Sequence, residues 1–303
     1  MEPRTVTVEE DAAAPAPRLE AFVLAALSGW SRRLVRQLIA DGAVRVNGRR
    51  AAKGLRLRAG DRVTLPALPA TLAPQPELAL PIVHEDAALV AVDKPGGMPA
   101  HALDPRDRDT AAAFLLARYP EMAVVGDRLA PGLVHRLDTG TSGLLLAART
   151  PEAHAAVRDA LRARQVEKRY VAVVAGDARE LDAATIAEPL AHDPGDRRRM
   201  TAACGDVRAW PAETRVVVRT PGAERSLVEV VIRTGVTHQV RVHLALRGHP
   251  VVNDVLYGGP VEPSLAGGRH ALHAARLALA HPADGRPLVL EVPVPDELRA
   301  LVS

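Results

Sequence analysis

Residues 133 to 147, Leu-Val-His-Arg-Leu-Asp-Thr-Gly-Thr-Ser-Gly-Leu-Leu-Leu-Ala, place a short polar segment between two apolar runs. Asp138 stands at a turn punctuated by Gly140 and Gly143, and a buried strand is expected directly after it. Small residues at such a turn let a ligand or another backbone segment come close. Two interpretations stay open on these residues alone: Asp138 carries chemistry, or its carboxylate only caps the turn.

The segments around this stretch, from residue 81 to residue 303, predict an α+β domain. Strand-like segments are interspersed with a few helices at irregular spacing, and nothing repeats. This pattern favours a mixed, mostly antiparallel sheet flanked by helices over a regular βαβ series. The predicted strands are Leu89–Val92, Leu144–Ala147, Tyr170–Val174, Leu227–Ile232 and Leu272–Leu279; the predicted helices are Thr110–Arg118, Glu152–Arg164 and Thr237–Arg247, the last with Thr237 as its cap and with Val240 and Leu244 on one face.

Residues 18–66 predict a separate small unit of two helices and a hairpin. The second helix has apolar residues at helical spacing and ends at Asp41-Gly42, and Asn47-Gly48 indicates a tight turn. In chain order the elements are an apolar helix over Leu19–Leu27, Ser31 as N-cap of a helix carrying Leu34, Val35, Leu38 and Ile39, the strand Val44–Val46, and the Asn47-Gly48 turn.

Positive charge is concentrated in this small unit. Arg18 to Arg62 contains ten arginines and one lysine against three acidic residues, a net charge of +8, although the whole chain carries only +3. Such density is the electrostatic footprint expected for a phosphate backbone, and the alternative is an ordinary solvated face. The candidate RNA contacts on the second helix and the hairpin are Arg32, Arg33, Arg36, Arg45, Arg49 and Arg50.

The remaining segments predict a leader, a linker and the compartment. Residues 1–17 are acidic and rich in Pro and Ala, which predicts a disordered leader rather than a signal peptide; residues 67–80 hold three prolines and predict a linker. The single cysteine, Cys204, excludes an internal disulfide and any multi-cysteine metal site. No stretch approaches eighteen uninterrupted apolar residues, so we expect a cytoplasmic protein without a membrane partner.

The motifs resemble those of a known family. His135-Arg136-Leu137-Asp138, followed by Thr141-Ser142-Gly143-Leu144, is similar to the signature of the ribosomal large-subunit (Rlu-type) pseudouridine synthases. Residues 18–66 resemble the α-L RNA-binding domain named for ribosomal protein S4, which grips structured RNA by its shape and phosphates. Further segments that agree with the family, in its order, are Val92–His101, Glu167–Tyr170, Thr237–Leu244, Leu272–Ala274 and His281-Pro282.

The resemblance implies a role for each residue of the candidate site. Asp138 is the implied nucleophile, and Arg241 holds its carboxylate, because burial would otherwise raise the pKa of an aspartate. Tyr170 packs on the target uracil and helps move the carbon-5 proton. Arg136, with His135 nearby, fills the space left by a flipped uridine, or either residue contacts a phosphate. Without the resemblance, Tyr170 fits a core tyrosine and Arg241 a surface arginine.

The implied reaction isomerises uridine to pseudouridine and consumes nothing. We therefore expect no cofactor and no metal. The expected partner is RNA, with ribosomal RNA favoured and transfer RNA as the alternative, and no obligatory protein partner is inferred. Two positions depart from the family: Val236 and Trp210 stand where a cation is usual, which affects target choice more than chemistry.

Other functions compete with this interpretation. Asp138-Thr139-Gly140 also matches the aspartic-protease motif, but no second copy exists, so a protease would be a homodimer and would leave the basic unit unexplained. Metal hydrolysis by His238 and His243 or by His270 and His273 is disfavoured. Spacing five does not align two ligands on a helix, no His-Glu-x-x-His motif occurs, and capping or base-stacking histidines are commoner. The main alternative is a catalytically silent RNA-binding or ribosome-assembly factor.

Overall fold

The computed structural model describes residues 3–9, 16–27, 32–52, 54–67, 72–203, 205 and 208–302, with the Arg33 side chain left out. Ser31 and Cys204, which the sequence singled out, therefore lie outside the described residues. The chain divides into two units: residues up to 73 together with 102–108, and residues 74–101 together with 109 onward.

The first unit combines two helices with a small antiparallel sheet. Its helices bury the apolar faces that the sequence predicted, among them Leu19, Val23 and Val35. Asn47 and Gly48 both have positive φ, as a two-residue hairpin turn requires, which confirms the predicted turn. The elements are β1 (Arg4–Thr7), α1 (Leu19–Ala26), α2 (Arg32–Ala40), β2 (Arg45–Val46), β3 (Arg49–Arg50) and β4 (Arg62–Leu65), with sheet order β1-β4-β2-β3.

The prediction of a disordered leader is wrong for its first part. Arg4–Thr7 forms β1, which pairs with β4 from Arg4 opposite Leu65 to Thr7 opposite Arg62. The next residue, Val8, is buried. The physical reason is the run Thr5-Val6-Thr7-Val8, whose β-branched residues favour a strand, although the later Pro/Ala-rich composition obscured it.

The predicted linker also contains ordered chain. Leu72 and Leu80 are buried, and the backbone N–H of Gln75 donates to the carbonyl of Ala113. Residues 74–80 thus pack within the second unit, and the change of unit after residue 73 falls inside the predicted linker. A second departure from the expected continuous domain is the segment 102–108, which groups with the first unit.

The second unit is built on a mixed sheet, as expected for the α+β class. The described strands form the order β11-β14-β15-β10-β16-β9-β6-β5, with β17 also paired to β16. All neighbours are antiparallel except β9 and β16, which run parallel at Ser142 and His273. The sheet strands are β5 (Ile82–Glu85), β6 (Leu89–Lys94), β9 (Ser142–Ala148), β10 (Glu167–Ala175), β11 (Thr185–Ile186), β14 (Thr214–Thr220), β15 (Arg225–Ile232), β16 (Leu272–Ala280) and β17 (Pro287–Glu291).

Short hairpins and four helices surround this sheet in the described part of the chain. Two-stranded pairs are β7 (Gly126–Asp127) with β8 (Ala130–Pro131), and β12 (Leu190–His192) with β13 (Met200–Ala202). The helices are α3 (Ala111–Arg118), α4 (Pro151–Arg162), α5 (Gln239–Leu246) and α6 (Asp296–Arg299). No helix of the described residues is both long and apolar enough to span a bilayer.

Strand β9 lies at the centre of the core and fixes where the candidate site begins. All seven of its residues are buried, because the sheet is covered on both faces there. Leu144 and Leu146 pack with Val157 of α4 in one apolar cluster. The turn containing Asp138 thus ends in a rigid element, which is a good platform for a catalytic group.

Helix α5 begins later than the sequence predicted. His238, not Thr237, is the residue before its first turn, and it adopts a left-handed conformation with φ of 57°. The hydroxyl of Thr237 instead accepts a hydrogen bond from Arg136. The Gln239 side chain ties this helix start to the sheet, because its Nε2 donates to Thr214 Oγ1 and its Oε1 accepts from Val236 N–H. Val240 and Leu244 are buried on one face, as predicted.

Candidate active site

A cavity of about 370 Å³ opens beside the turn at Asp138. This volume lies within the roughly 300–1,000 Å³ typical of ligand pockets. Asp138, Tyr170 and Arg241, which come from three separate parts of the sequence, all line it. The other polar or charged side chains in its lining are His135, Arg136, Thr141, Arg158, Arg162, Lys168, Thr237, His238 and Gln239.

Hydrogen bonds to the backbone fix the turn that presents Asp138. The Asp138 carbonyl accepts from Thr141 N–H, and the Thr139 carbonyl accepts from Gly97 N–H at 2.8 Å. Lys94, fully buried, donates to the carbonyls of Pro95, Met98 and Thr139 at 2.8, 2.7 and 3.4 Å. All three ammonium hydrogens of Lys94 therefore have acceptors, and the lysine stabilises the turn by linking three of its neighbouring carbonyls.

Glycine is required where this turn meets strand β16. Gly143 has φ of +110°, and a Cβ there would lie 2.3 Å from the carbonyl oxygen of Ala274. A Cβ on Gly140 would lie 2.6 Å from the carbonyl oxygen of Gly268. The expectation that small residues let another backbone segment come close is confirmed.

Arg241 holds the Asp138 carboxylate. Its Nη1 donates to Asp138 Oδ2 at 2.7 Å, and only 4% of the arginine side chain is exposed. Burial acts to raise the pKa of Asp138, but the nearby His238 ring, the charge of Arg241 and this hydrogen bond outweigh it and lower the pKa below its ordinary value. Asp138 is thus ionised at neutral pH, and its carboxylate contacts a cation instead of capping the turn.

A second carboxylate, Asp254, orients the guanidinium and was missed in the sequence. Arg241 Nε and Nη2 donate to its two oxygens at 2.6 and 2.8 Å, and Asp254 is fully buried. This bidentate pair fixes the plane of the guanidinium and leaves Nη1 for Asp138. The available signal was an aspartate between the apolar runs Val251-Val252 and Val255-Leu256, where an unpaired charge would be costly.

His238 lies near Asp138 and is itself held by Tyr257, an arrangement that the sequence did not reveal. The Tyr257 hydroxyl accepts from Met200 N–H at 2.8 Å and also forms a hydrogen bond of 2.8 Å with His238 Nδ1. The other ring nitrogen of His238, Nε2, lies 3.8 Å from Asp138 Oδ1. Burial lowers the pKa of His238, so the ring is neutral at pH 7.

Tyr170 lies in the wall of the same cavity. It belongs to β10, between Val230 of β15 and Ala274 of β16, and is 8% exposed. Burial raises the pKa of its phenol, and the negative charge of Asp138 raises it further. The side chain is therefore a neutral phenol at physiological pH.

His135 and Arg136 are adjacent in sequence but have different environments. His135 Nε2 accepts a hydrogen bond from Leu146 N–H at 3.0 Å, and burial lowers the pKa of the ring to about 3. His135 is therefore a neutral imidazole that is hydrogen-bonded to the backbone of strand β9. Arg136 is exposed, and its Nη2 donates to Thr237 Oγ1 at 3.1 Å. Of the two, Arg136 has the side chain that is free to reach a ligand.

The predicted arginines of the first unit form a separate exposed set. Arg32, Arg36, Arg45, Arg49 and Arg50 are all exposed. Arg36 pairs with Glu20 at 2.9 Å, and Arg45 lies opposite Arg50 across the hairpin. Arg33 belongs to the same helix, but its side chain lies outside the described residues. These cations belong to the other unit and do not line the cavity.

The two departures from the family pattern occupy one small apolar cluster. Val236 and Trp210 both pack, partly buried, against Leu190, Met200, Ala212, Val242 and Tyr257. Trp210 also exchanges backbone hydrogen bonds with Leu190. The cluster supports the Tyr257 ring, over which the Arg241 guanidinium lies at 5.1 Å.

In each histidine pair considered as metal ligands, at least one ring forms hydrogen bonds with other groups. His243 contacts Thr214 Oγ1 and the Glu188 carbonyl, and His273 contacts Ser142 Oγ. Among the described residues, the group His84, Asp86 and His281 could hold a metal ion. There, both imidazole Nε2 atoms already lie 2.7 and 2.9 Å from Asp86 Oδ2. The trio does not line the cavity.

Known proteins resemble this chain along most of its length. The family model for RNA pseudouridylate synthases matches residues 88–246, and the S4 domain model matches residues 17–63. An uncharacterized RNA pseudouridine synthase of Chloroflexus aurantiacus is 40% identical over 95% of this chain and 89% of its own length. Ribosomal large subunit pseudouridine synthase D of Neisseria meningitidis is 33% identical over 94% of this chain and 78% of its own length.

A solved structure agrees with these relatives. Human RNA pseudouridylate synthase domain containing 1 superimposes with a TM-score of 0.57 at 27% identity, over 73% of this chain and 86% of that one. Together with the catalytic-domain match, this excludes the aspartic-protease alternative, in which two carboxylates would share a proton instead of one pairing with Arg241. The chain belongs to the RNA pseudouridine synthase family and carries an S4 RNA-binding domain before its catalytic domain.

Proposed function

We propose that this enzyme isomerises specific uridines of large-subunit ribosomal RNA to pseudouridine, with Asp138 as nucleophile and without a cofactor. The observation that carries the proposal is the Asp138 carboxylate, held by Arg241 at 2.7 Å in a cavity of suitable size. The ribosomal target is supported by the name of the Neisseria relative and by the S4 domain.

The reaction needs only groups that the cavity supplies. The bond from ribose carbon 1′ to uracil N1 breaks, the base turns, and a bond from carbon 1′ to carbon 5 forms. The carbon-5 proton leaves, and N1 ends with a proton, so atoms balance without an oxidant, reductant or second substrate. The Asp138 carboxylate supplies the negative charge that attacks the sugar or base, or that stabilises the sugar once the base has left.

The surrounding residues orient the carboxylate and the base. Arg241, fixed by Asp254, keeps one oxygen of Asp138 in place, and Nε2 of His238 lies 3.8 Å from the other. Tyr170 offers a ring for the uracil and a neutral hydroxyl for the proton at carbon 5. A uridine in an RNA helix must flip out to enter the cavity, and exposed Arg136 is the residue suited to fill the vacated space.

The test is to incubate the purified protein with unmodified total RNA in the presence of a chelator and to map pseudouridine chemically. We expect new pseudouridine in large-subunit ribosomal RNA with the wild type and none with Asp138→Asn. Product only in transfer RNA would refute the assigned target. No Asp138-dependent product on any RNA would support the catalytically silent binder instead, provided that Asp138→Asn still binds RNA.

A further inference from the structure

Lys168 lies in the wall of the cavity, next to the residues already assigned. It precedes Tyr170 by two positions on β10, so the two side chains project from the same face of the strand, about 7 Å apart along it. Lys168 is 7% exposed and contributes to the cavity lining. No step in the proposed chemistry uses it.

The ammonium of Lys168 is only partly satisfied. Its Nζ donates to the Thr234 carbonyl at 2.7 Å, and an ammonium has three hydrogens to donate. Lys94 is the internal comparison, because its three hydrogens all reach backbone carbonyls. Burial lowers the pKa of Lys168 to about 8, and no carboxylate acts to restore it. Lys168 is thus a buried cation, charged at neutral pH, with hydrogen-bonding capacity to spare.

The chain around Lys168 leaves room for an anion. A Cβ on Gly235 would lie 3.2 Å from Lys168 Nζ, so a larger residue there would crowd the ammonium. Gly235 is exposed and also lines the cavity. Arg136, Arg158 and Arg162 line it as well, so the positive charge of this wall is not limited to one residue.

The carboxylates near the cavity pair with arginines and not with Lys168. Arg241 pairs with both Asp138 and Asp254, and Asp159 pairs with Arg162. The next residue on the strand, Arg169, has Glu167 and Glu229 as partners, but it lies on the opposite face. Lys168 therefore faces the cavity as a cation without a carboxylate among the described residues.

We propose that Lys168 and the open space at Gly235 form a subsite for one phosphate of the RNA strand, beside the uridine that enters the cavity. The proposal rests on the proposed function, which places that uridine against Tyr170. Lysine binds phosphate as a point charge, and Lys168 lies about 7 Å along β10 from the Tyr170 ring that is proposed to contact the base. Lys168 is thereby a substrate-positioning residue.

The test compares Lys168→Met and Lys168→Arg with the wild type for binding to a large-subunit ribosomal RNA transcript at several salt concentrations. Each phosphate contact contributes about 0.7–0.9 to the slope of log affinity against log salt. We expect Lys168→Met to lower the slope by that amount and to weaken binding about tenfold. Lys168→Arg keeps the charge and should restore both. Arg286→Gln, which removes an exposed charge outside the cavity, should change neither.

Gly235→Val keeps Lys168 and provides a second variant if Lys168→Met does not fold. It should reproduce the lower slope, because its side chain occupies the subsite. An unchanged slope in a folded Lys168→Met or Gly235→Val variant would overturn the proposal. So would a loss of product with normal binding, because Lys168 would then act on the base. The binding measurement does not depend on product formation. Failure of the isomerase proposal would therefore appear separately, as a wild type that binds RNA but forms no pseudouridine.

Discussion

At the scale of single residues, Arg241 has the most demanding environment in the site, because one buried guanidinium serves two carboxylates. Asp254→Ala removes the bidentate partner and leaves the guanidinium with Asp138 alone. We expect this change to lower the free energy of unfolding by about 3–5 kcal/mol, as for other broken buried ion pairs. Urea denaturation measures the loss. Asp159→Ala, which breaks an exposed pair with Arg162, should leave the unfolding midpoint unchanged.

A conservative substitution of Arg241 tests whether its shape matters as well as its charge. Arg241→Lys keeps the charge but loses the planar fork that contacts Asp254 and Asp138 together. We expect product formation to fall by at least about 100-fold, with RNA affinity retained. Near-normal activity of Arg241→Lys would show that charge alone suffices and that the orientation of Asp138 is unimportant.

Tyr170 allows the ring and the hydroxyl to be tested separately. Tyr170→Phe retains the surface for the uracil but removes the phenol, whose raised pKa keeps it protonated. We expect unchanged RNA affinity and a fall in single-turnover rate of about 100-fold or more, the usual range for losing a proton-transfer group. Tyr119→Phe, outside the cavity lining, is the matched control. Full activity of Tyr170→Phe would assign the residue to stacking alone.

Lys168 gives a pH dependence of defined sign. Its pKa, lowered by burial to about 8, means that the free enzyme loses this charge as the pH rises above that value. RNA affinity should therefore fall between about pH 8 and pH 9, whereas Lys168→Arg stays charged and should lose less. The same fall in both proteins would show that another group titrates. Electrophoretic mobility shift at fixed ionic strength measures the RNA affinity of the wild type and of Lys168→Arg at each pH.

At the scale of elements, the contact between β9 and β16 controls how Asp138 is presented. Gly143→Ala would place a methyl group 2.3 Å from the Ala274 carbonyl at a φ of +110°. We expect a loss of about 3 kcal/mol or more in stability, together with loss of activity. Gly285→Ala is the control, because Gly285 also has positive φ but no neighbour within 4 Å. Equal melting temperatures of the two variants would contradict the account.

Much of this architecture was predictable because the decisive signals are local. The Asn47-Gly48 turn, the buried strand after the Asp138 turn and the end of α2 just before Asp41-Gly42 all follow from residue chemistry over a few positions. Strand β1 was missed because four residues in a Pro/Ala-rich context are stabilised only by pairing with β4. The start of α5 was misplaced because Arg136, distant in sequence, takes the hydroxyl of Thr237.

The candidate site was predictable to a different degree. Asp138, Tyr170 and Arg241 were named from motifs, and the fold brings them to one cavity. Asp254, His238 and Lys168 were not assigned, because their significance lies in contacts across the sheet that no spacing along the chain reveals. A buried charge shows its role only when its partner, or the lack of one, is known.

At the scale of the whole molecule, the S4 domain should contribute RNA affinity through charge. Replacing Arg45 and Arg49, two exposed arginines of the hairpin, by glutamine removes two candidate phosphate contacts. We expect the salt slope of binding to fall by about 1.4–1.8 and affinity to fall for all RNAs alike. An effect on one RNA sequence alone would instead indicate base recognition by this hairpin. Arg286→Gln is again the control for charge outside both sites.

The central claim is that the Asp138 carboxylate, held by Arg241, isomerises uridine. It is tested most directly by release of tritium from large-subunit ribosomal RNA transcribed with uridine labelled at carbon 5, because pseudouridine formation must expel that hydrogen. Wild type, Asp138→Asn and Arg241→Lys are compared at RNA concentrations where all three are bound. The account predicts tritium release by the wild type, none by Asp138→Asn, and strongly reduced release by Arg241→Lys. Release by Asp138→Asn at the wild-type rate would contradict it.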